Sequence, residues 1–176
     1  MTEAFPESHI ASLSAMFLAA EYKWEQGGVW TRVMIGAPAP ELDAAFPEAR
    51  RFGIVSAANP GQIMRPEPEN RSADRALQRR LDALGLVYRP AFVAALSRSW
   101  KAFNWLVIDP DPAVFDALCV EFGQIGSLLW PRGEAVRLRM RAHRPAAVPS
   151  HAHVDWLGDL ADAPPGTDRA NPAADP

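Results

Sequence analysis

The run Phe52-Gly-Ile-Val-Ser-Ala-Ala58 is apolar on both of its alternating faces. A strand buried on one side alternates apolar with polar residues, so this one belongs inside a sheet that is covered on both sides. It stops at Asn59-Pro60-Gly61, where proline removes a ladder donor and glycine permits a turn. The rest of the chain must therefore supply cover for two faces.

Two helices suit that task. Pro68 fits a first helical turn, Glu69 favours its positive end, and Gly85 stops it. Leu77, Leu81 and Leu84, with Ala73 and Ala76, share one face of this helix. Asp109-Pro-Asp-Pro112 opens a second helix with an apolar stripe of Val114, Phe115, Leu118 and Phe122, ended by Gly123. Residues 87–96 and 102–108 read as strands, the second apolar on both faces. Residues 125–130 and 135–140 read as strands joined by a turn at residues 131–134. From Phe52 the order is β-α-β-β-α-β-β. It predicts an α+β fold, a mixed or antiparallel sheet with two main helices packed on it.

Ahead of this core, residues 7–25 carry Ile10, Leu13, Phe17, Leu18, Ala20 and Tyr22 at spacings that suit an N-terminal helix ended by Gly27-Gly28. Residues 29–35 read as a short strand and residues 36–47, with three prolines, as a loop. The 176 residues, 48% of them hydrophobic, suffice for one domain, expected at residues 1–144. Residues 145–176 are rich in Ala, Pro and Asp and read as a largely disordered tail. A short helix or docking segment is expected around Trp156.

No apolar run approaches the roughly 18 residues of a membrane span, and the N-terminus lacks a basic signal-peptide region. A single cysteine, Cys119, rules out an intramolecular disulfide and a Cys-rich metal site. A cytoplasmic protein is expected. The net charge of −3 hides an asymmetry. Residues 1–49 carry net −5, residues 50–144 net +6 and the remainder net −4. A basic centre favours an anionic ligand or nucleic acid, unless the acidic ends fold back onto it.

Four groupings bear on function. The loop after the interior strand enters a helix N-terminus, which aims free N–H groups at whatever sits there. Asn59, Gln62, Arg65 and Asn70 are polar at that place, and Asn59 and Asn70 serve either as a loop clamp or as ligand contacts. Arg71, Arg75 and Arg79 follow at helical spacing. Arg137, Arg139 and Arg141 share one strand face, suited to phosphates or to pairing with acids on neighbouring strands. His151-Ala-His153-Val-Asp155 has metal-ligand types but no further ligands nearby, so no metal and no cofactor are expected. Cys119 reads as a buried, inert thiol. His9 and His143 fall outside the loop. Asp109 and Asp111 read as helix-opening residues, and no nucleophile or paired carboxylates stand out, which leaves catalysis open.

The stretch from Phe52 to Pro60, then Glu69-Asn-Arg71 with Leu77, then Phe122-Gly-Gln124, resembles the bacterial domain-of-unknown-function family numbered 3293. The likeness spans roughly residues 51–140. That family shows a strand ending in a Thr-Ala-x-Asn-Pro-like turn, a helix opening with Asn and Arg, and a later Phe-Gly-Gln. It tends to carry a Trp-x-Glu element where this chain has Trp100-Lys-Ala102. The resemblance implies a domain and singles out Asn59, Asn70, Arg71 and Gln124, but no reaction.

Three of those four are uncharged amides, better suited to reading a hydrogen-bonding edge than to moving protons. The leading expectation is a small anionic ligand, such as a nucleotide, at residues 56–71. A protein-interaction module would instead dock through Phe17, Tyr22, Trp24, Trp30 or Trp156. Nucleic-acid binding through the arginine strand at residues 137–141 is a third alternative.

Overall fold

The computed structural model describes residues 5–97 and 99–161. Helix α1 (Glu7–Ala19) leads into a hairpin of β1 (Glu21–Gln26) and β2 (Val29–Val33), followed by α2 (Pro40–Ala45). Then come β3 (Arg51–Val55), α3 (Glu67–Ala83), β4 (Val87–Ala94) and β5 (Lys101–Ile108). Helix α4 (Pro112–Glu121), β6 (Gly126–Pro131), β7 (Leu138–Met140), β8 (Val154–Trp156) and α5 (Leu157–Ala161) complete the described chain. From β3 to β7 the expected β-α-β-β-α-β-β order holds.

The eight described strands form one mixed sheet in the order β2-β1-β4-β5-β3-β6-β7-β8. Neighbours pair antiparallel except β7 and β8, which run parallel. The sheet curls until its two sides meet. Ile35, just past β2, bridges to Val136, just before β7. The Gly36 N–H donates to the Val136 carbonyl at 2.9 Å, and the Val136 N–H to the Ala37 carbonyl at 2.9 Å.

Strand β3 has both faces buried. Phe52 and Ile54 point inside the curl, among Leu106, Trp130, Leu138 and Met140. On the outer face Val55 packs with Leu77 and Leu81 of α3 and Phe115 and Leu118 of α4. Gly53 lies under the Phe115 ring so closely that a Cβ there would stand 2.5 Å from it. Leu77 and Leu81 are fully buried, each contributing about 1.5–3 kcal/mol.

The helix boundaries follow local chemistry. Asp111 caps α4, its Oδ1 accepting from the N–H groups of Ala113 at 2.9 Å and Val114 at 3.2 Å. Gly85 ends α3 at φ 66°, a left-handed conformation that favours glycine.

Three expectations need correction. The N-terminal helix stops at Ala19, not near residue 25, because Tyr22 and Trp24 alternate into the core with Glu21, Lys23 and Glu25 on the other face. Gly27 and Gly28, at φ 59° and 83°, form a two-residue hairpin turn and not a helix stop. The expected loop at residues 36–47 contains α2, which buries Leu42. Residues 145–176, expected to be largely tail, also contribute β8, with Trp156 buried against the inner core, while the short helix expected around Trp156 is α5. The remaining tail, residues 162–176, lies outside the described residues.

Candidate functional site

The chain leaves β3 at Val55 and turns at once. Ser56 Oγ donates to the Phe103 carbonyl at 3.0 Å and accepts from the Ala58 N–H at 3.0 Å. Asn59 follows at φ 47°, left-handed, which asparagine tolerates better than most residues. Its N–H donates to Asn70 Oδ1 at 3.0 Å, while its Oδ1 accepts from Asn70 Nδ2 at 2.9 Å and from the Arg65 N–H at 3.0 Å. The Gly61 N–H donates to the Gly123 carbonyl at 2.8 Å. Gln124 Nε2 donates to the Ala58 carbonyl at 3.1 Å and to the Phe122 carbonyl at 3.2 Å.

Three amides distant in sequence therefore converge, and these bonds clamp the loop. Two amide atoms keep no protein partner among the described residues: Asn59 Nδ2, a donor, and Gln124 Oε1, an acceptor. Arg71 lies apart, exposed on α3 and paired with Glu67 four residues earlier. Neither Arg71 nor the first turn of α3, which carries Glu67 and Glu69, faces the cavity described next.

That cavity, about 550 Å³, lies between α1 and the inner face of the curled sheet. Asn59 and Gln124 front it. Leu13, Met16 and Phe17 of α1 and Trp100 give it apolar walls, and Ser56, Asn104 and Ser127 add polar groups. Asn104 is buried and donates to the Ala102 carbonyl at 3.0 Å, which leaves its Oδ1 without a protein partner among the described residues. Lys101 borders the cavity, but its Nζ lies over the Phe92 and Phe103 rings on the other face of the sheet. No carboxylate is among the residues described in the lining. Ala102, where the resembled family tends to carry glutamate, lines the cavity.

Sequence reasoning missed several of these groups. His9 falls outside the loop in sequence, yet its Nε2 lies 3.1 Å from the Gly61 carbonyl, because α1 folds back over the loop. Asn104 was legible as the one amide in an otherwise apolar strand. Ser127 carried no signal. Its Oγ accepts from Arg141 Nη1 at 2.9 Å.

The other groupings are absorbed by the fold. Val136, Leu138 and Met140 point inward and are fully buried, so the three arginines face outward as expected. Arg137 pairs bidentately with Asp155, at 3.0 and 2.6 Å, a hydrogen bond that pushes the guanidinium value further up. Arg139 and Arg141 share Asp116 of α4, with closest contacts of 2.5 and 2.6 Å. Asp155 is thereby taken from the His151/His153 grouping, and no cluster of three metal-ligating residues occurs among the described residues. Asp109 accepts from the Arg50 N–H at 3.1 Å. Cys119 is buried, which pushes its thiol up to about 11. Phe17, Tyr22, Trp24 and Trp156 are buried, while Trp30 is exposed. No described helix is long and apolar enough to cross a membrane.

Residues 55–125 match the model of a family described as "Protein of unknown function (DUF3293)", the family that the motifs resemble. The matched segment starts in β3, contains the Asn59/Asn70 clamp and both covering helices, and ends just past Gln124. No curated protein and no solved structure matches the chain.

Proposed function

We propose that the protein binds a small anionic ligand carrying a hydrogen-bonding edge, such as a nucleotide, in the cavity between α1 and the inner face of the sheet. The observation that carries this reading is a roughly 550 Å³ space fronted by amides, with no carboxylate among the described residues of its lining. Its volume falls within the range of small-molecule sites, which are largely apolar with a few placed polar groups. Asn59 Nδ2 donates to the ligand and Gln124 Oε1 accepts from it, while Asn70 holds Asn59 in its left-handed conformation. Arg71 takes part only by leaving Glu67. A buried, free Cys119 is in keeping with a reducing compartment, and the cytosol is the proposed location.

A thermal-shift panel of AMP, ATP, GTP and their nucleosides tests this. A ligand at 100 times its dissociation constant stabilises by about 2.7 kcal/mol, a shift of several degrees for a chain this size. Stabilisation by a nucleotide, weaker with its nucleoside and lost in Ala102→Trp, supports the reading. A panel without a shift counts against it.

A further inference from the structure

The outer face of β2, β1, the second half of β4 and the first half of β5 carries no helix among the described residues, and aromatic side chains cross it. Helices α3 and α4 cover the part over β3, β6, the second half of β5 and the start of β4, where the Tyr88 hydroxyl donates to Asp82 of α3 at 2.8 Å. Trp30 of β2 is 43% exposed and Phe103 of β5 is 63% exposed. Between them, Phe92 of β4 lies 4.9 Å from the Trp30 ring and directly opposite Phe103 in the strand register. Neighbouring exposed rings on an open sheet are costly to leave in water.

Cations are interleaved with those rings. Lys101 Nζ sits 5.1 Å from the Phe92 centroid and 5.5 Å from that of Phe103. Lys23 Nζ sits 5.9 Å from Phe92. Lys23 also stands directly opposite Arg32 on the neighbouring strand, a like-charge pair that costs stability until an anion joins it. Neither Arg32 nor Lys101 has an ion pair among the described residues, whereas Lys23 is partly offset by Glu21 at 3.1 Å.

We propose that this face binds single-stranded nucleic acid, with bases stacked on Trp30, Phe92 and Phe103 and the backbone phosphates drawn to Lys23, Arg32 and Lys101. Bases stack on aromatic side chains without regard to sequence, and a few cations suffice to track the backbone. This differs from binding through Arg137, Arg139 and Arg141, which are held by Asp155 and Asp116. It also does not depend on the cavity, which lies on the other side of the sheet.

The test uses fluorescein-labelled dT12 and U12 in anisotropy titrations against the full chain. Saturable binding is expected, weakened about tenfold by Phe103→Ala and by Trp30→Ala and kept by Phe103→Tyr. With two or three phosphates neutralised, log K should fall against log salt with a slope of about −1 to −2. Both rings are exposed, so unchanged thermal midpoints would confirm that the variants fold. Ala102→Trp, inside the cavity, leaves oligonucleotide binding unchanged, which separates this proposal from the small-ligand reading. Failure of both oligonucleotides to bind, or binding unaffected in the Trp30→Ala/Phe103→Ala double variant, overturns it. Self-association abolished by Phe103→Ala, without oligonucleotide binding, assigns the face to a second copy and overturns it equally.

Discussion

Asn70 and Asn59 hold each other at both ends of one amide: Asn70 Oδ1 accepts the Asn59 N–H at 3.0 Å, and Asn70 Nδ2 donates to Asn59 Oδ1 at 2.9 Å. The pair joins the first turn of α3 to the loop leaving β3, and it keeps Asn59 at a φ of 47°. Removing it frees the loop and leaves part-buried polar groups without partners.

Asn70→Ala is expected to lower stability by about 1–3 kcal/mol, since three hydrogen bonds, two to Asn59 and a longer one to the Arg65 carbonyl, are lost with their partners' satisfaction. In a chain of this size that amounts to a drop of roughly 3–10 °C in thermal midpoint. Arg71→Ala, removing only an exposed pair with Glu67, is expected to change it by less than about 0.5 kcal/mol. Urea denaturation of both variants checks the contrast.

Gly53→Ala is expected to destabilise by about 1–3 kcal/mol or more, because the added methyl meets the Phe115 ring at 2.5 Å. Phe115→Leu in the same chain should recover part of that loss. A double-mutant cycle by chemical denaturation reads the coupling, and simple additivity would refute the contact as its cause.

Asp116 serves two guanidinium groups, Arg139 and Arg141, the second only 10% exposed. Asp116→Ala strands both beside a buried strand and is expected to cost about 2–4 kcal/mol, discounted for partial exposure. Arg139→Gln is expected to cost less, because Asp116 keeps Arg141. The thermal midpoints of the two variants check the order.

The Cys119 thiol moves from 9.0 to about 11 because burial disfavours its thiolate. A value raised by folding favours the folded state fully at pH below 9 and stops doing so as pH climbs through about 11. The chain should therefore lose stability across that alkaline window, by on the order of 2–3 kcal/mol from this group. Cys119→Ala should flatten the profile there. At pH 8 the thiol should react with a disulfide reagent only as fast as the protein opens.

The core of the fold was legible because its signals are local. Interior strand β3 announces itself by apolar residues on both faces, α3 by Leu77 and Leu81, and α4 by Asp111 and Pro112 at its start. What was missed depends on tertiary pairing. Tyr22 fits a helical stripe and a strand alternation equally well, and only the partners Val33 and Val93 decide for β1. Trp156 lies in a stretch with tail-like composition, yet β7 recruits β8 as a parallel neighbour through Met140. For the candidate site, the convergence of Asn59, Asn70 and Gln124 was readable from motif order. The cavity they front was not, since its other wall comes from α1, which sits far away in sequence and is brought near by His9 and Phe17.

The most direct test of the central reading is isothermal titration of AMP, ATP and GTP into the full chain and into Ala102→Trp. At least one nucleotide should bind the unmodified protein with one-to-one stoichiometry, and the tryptophan, placed in the cavity, should abolish that heat. Equal affinity in both proteins, or no nucleotide heat in either, would contradict a ligand site between α1 and the sheet.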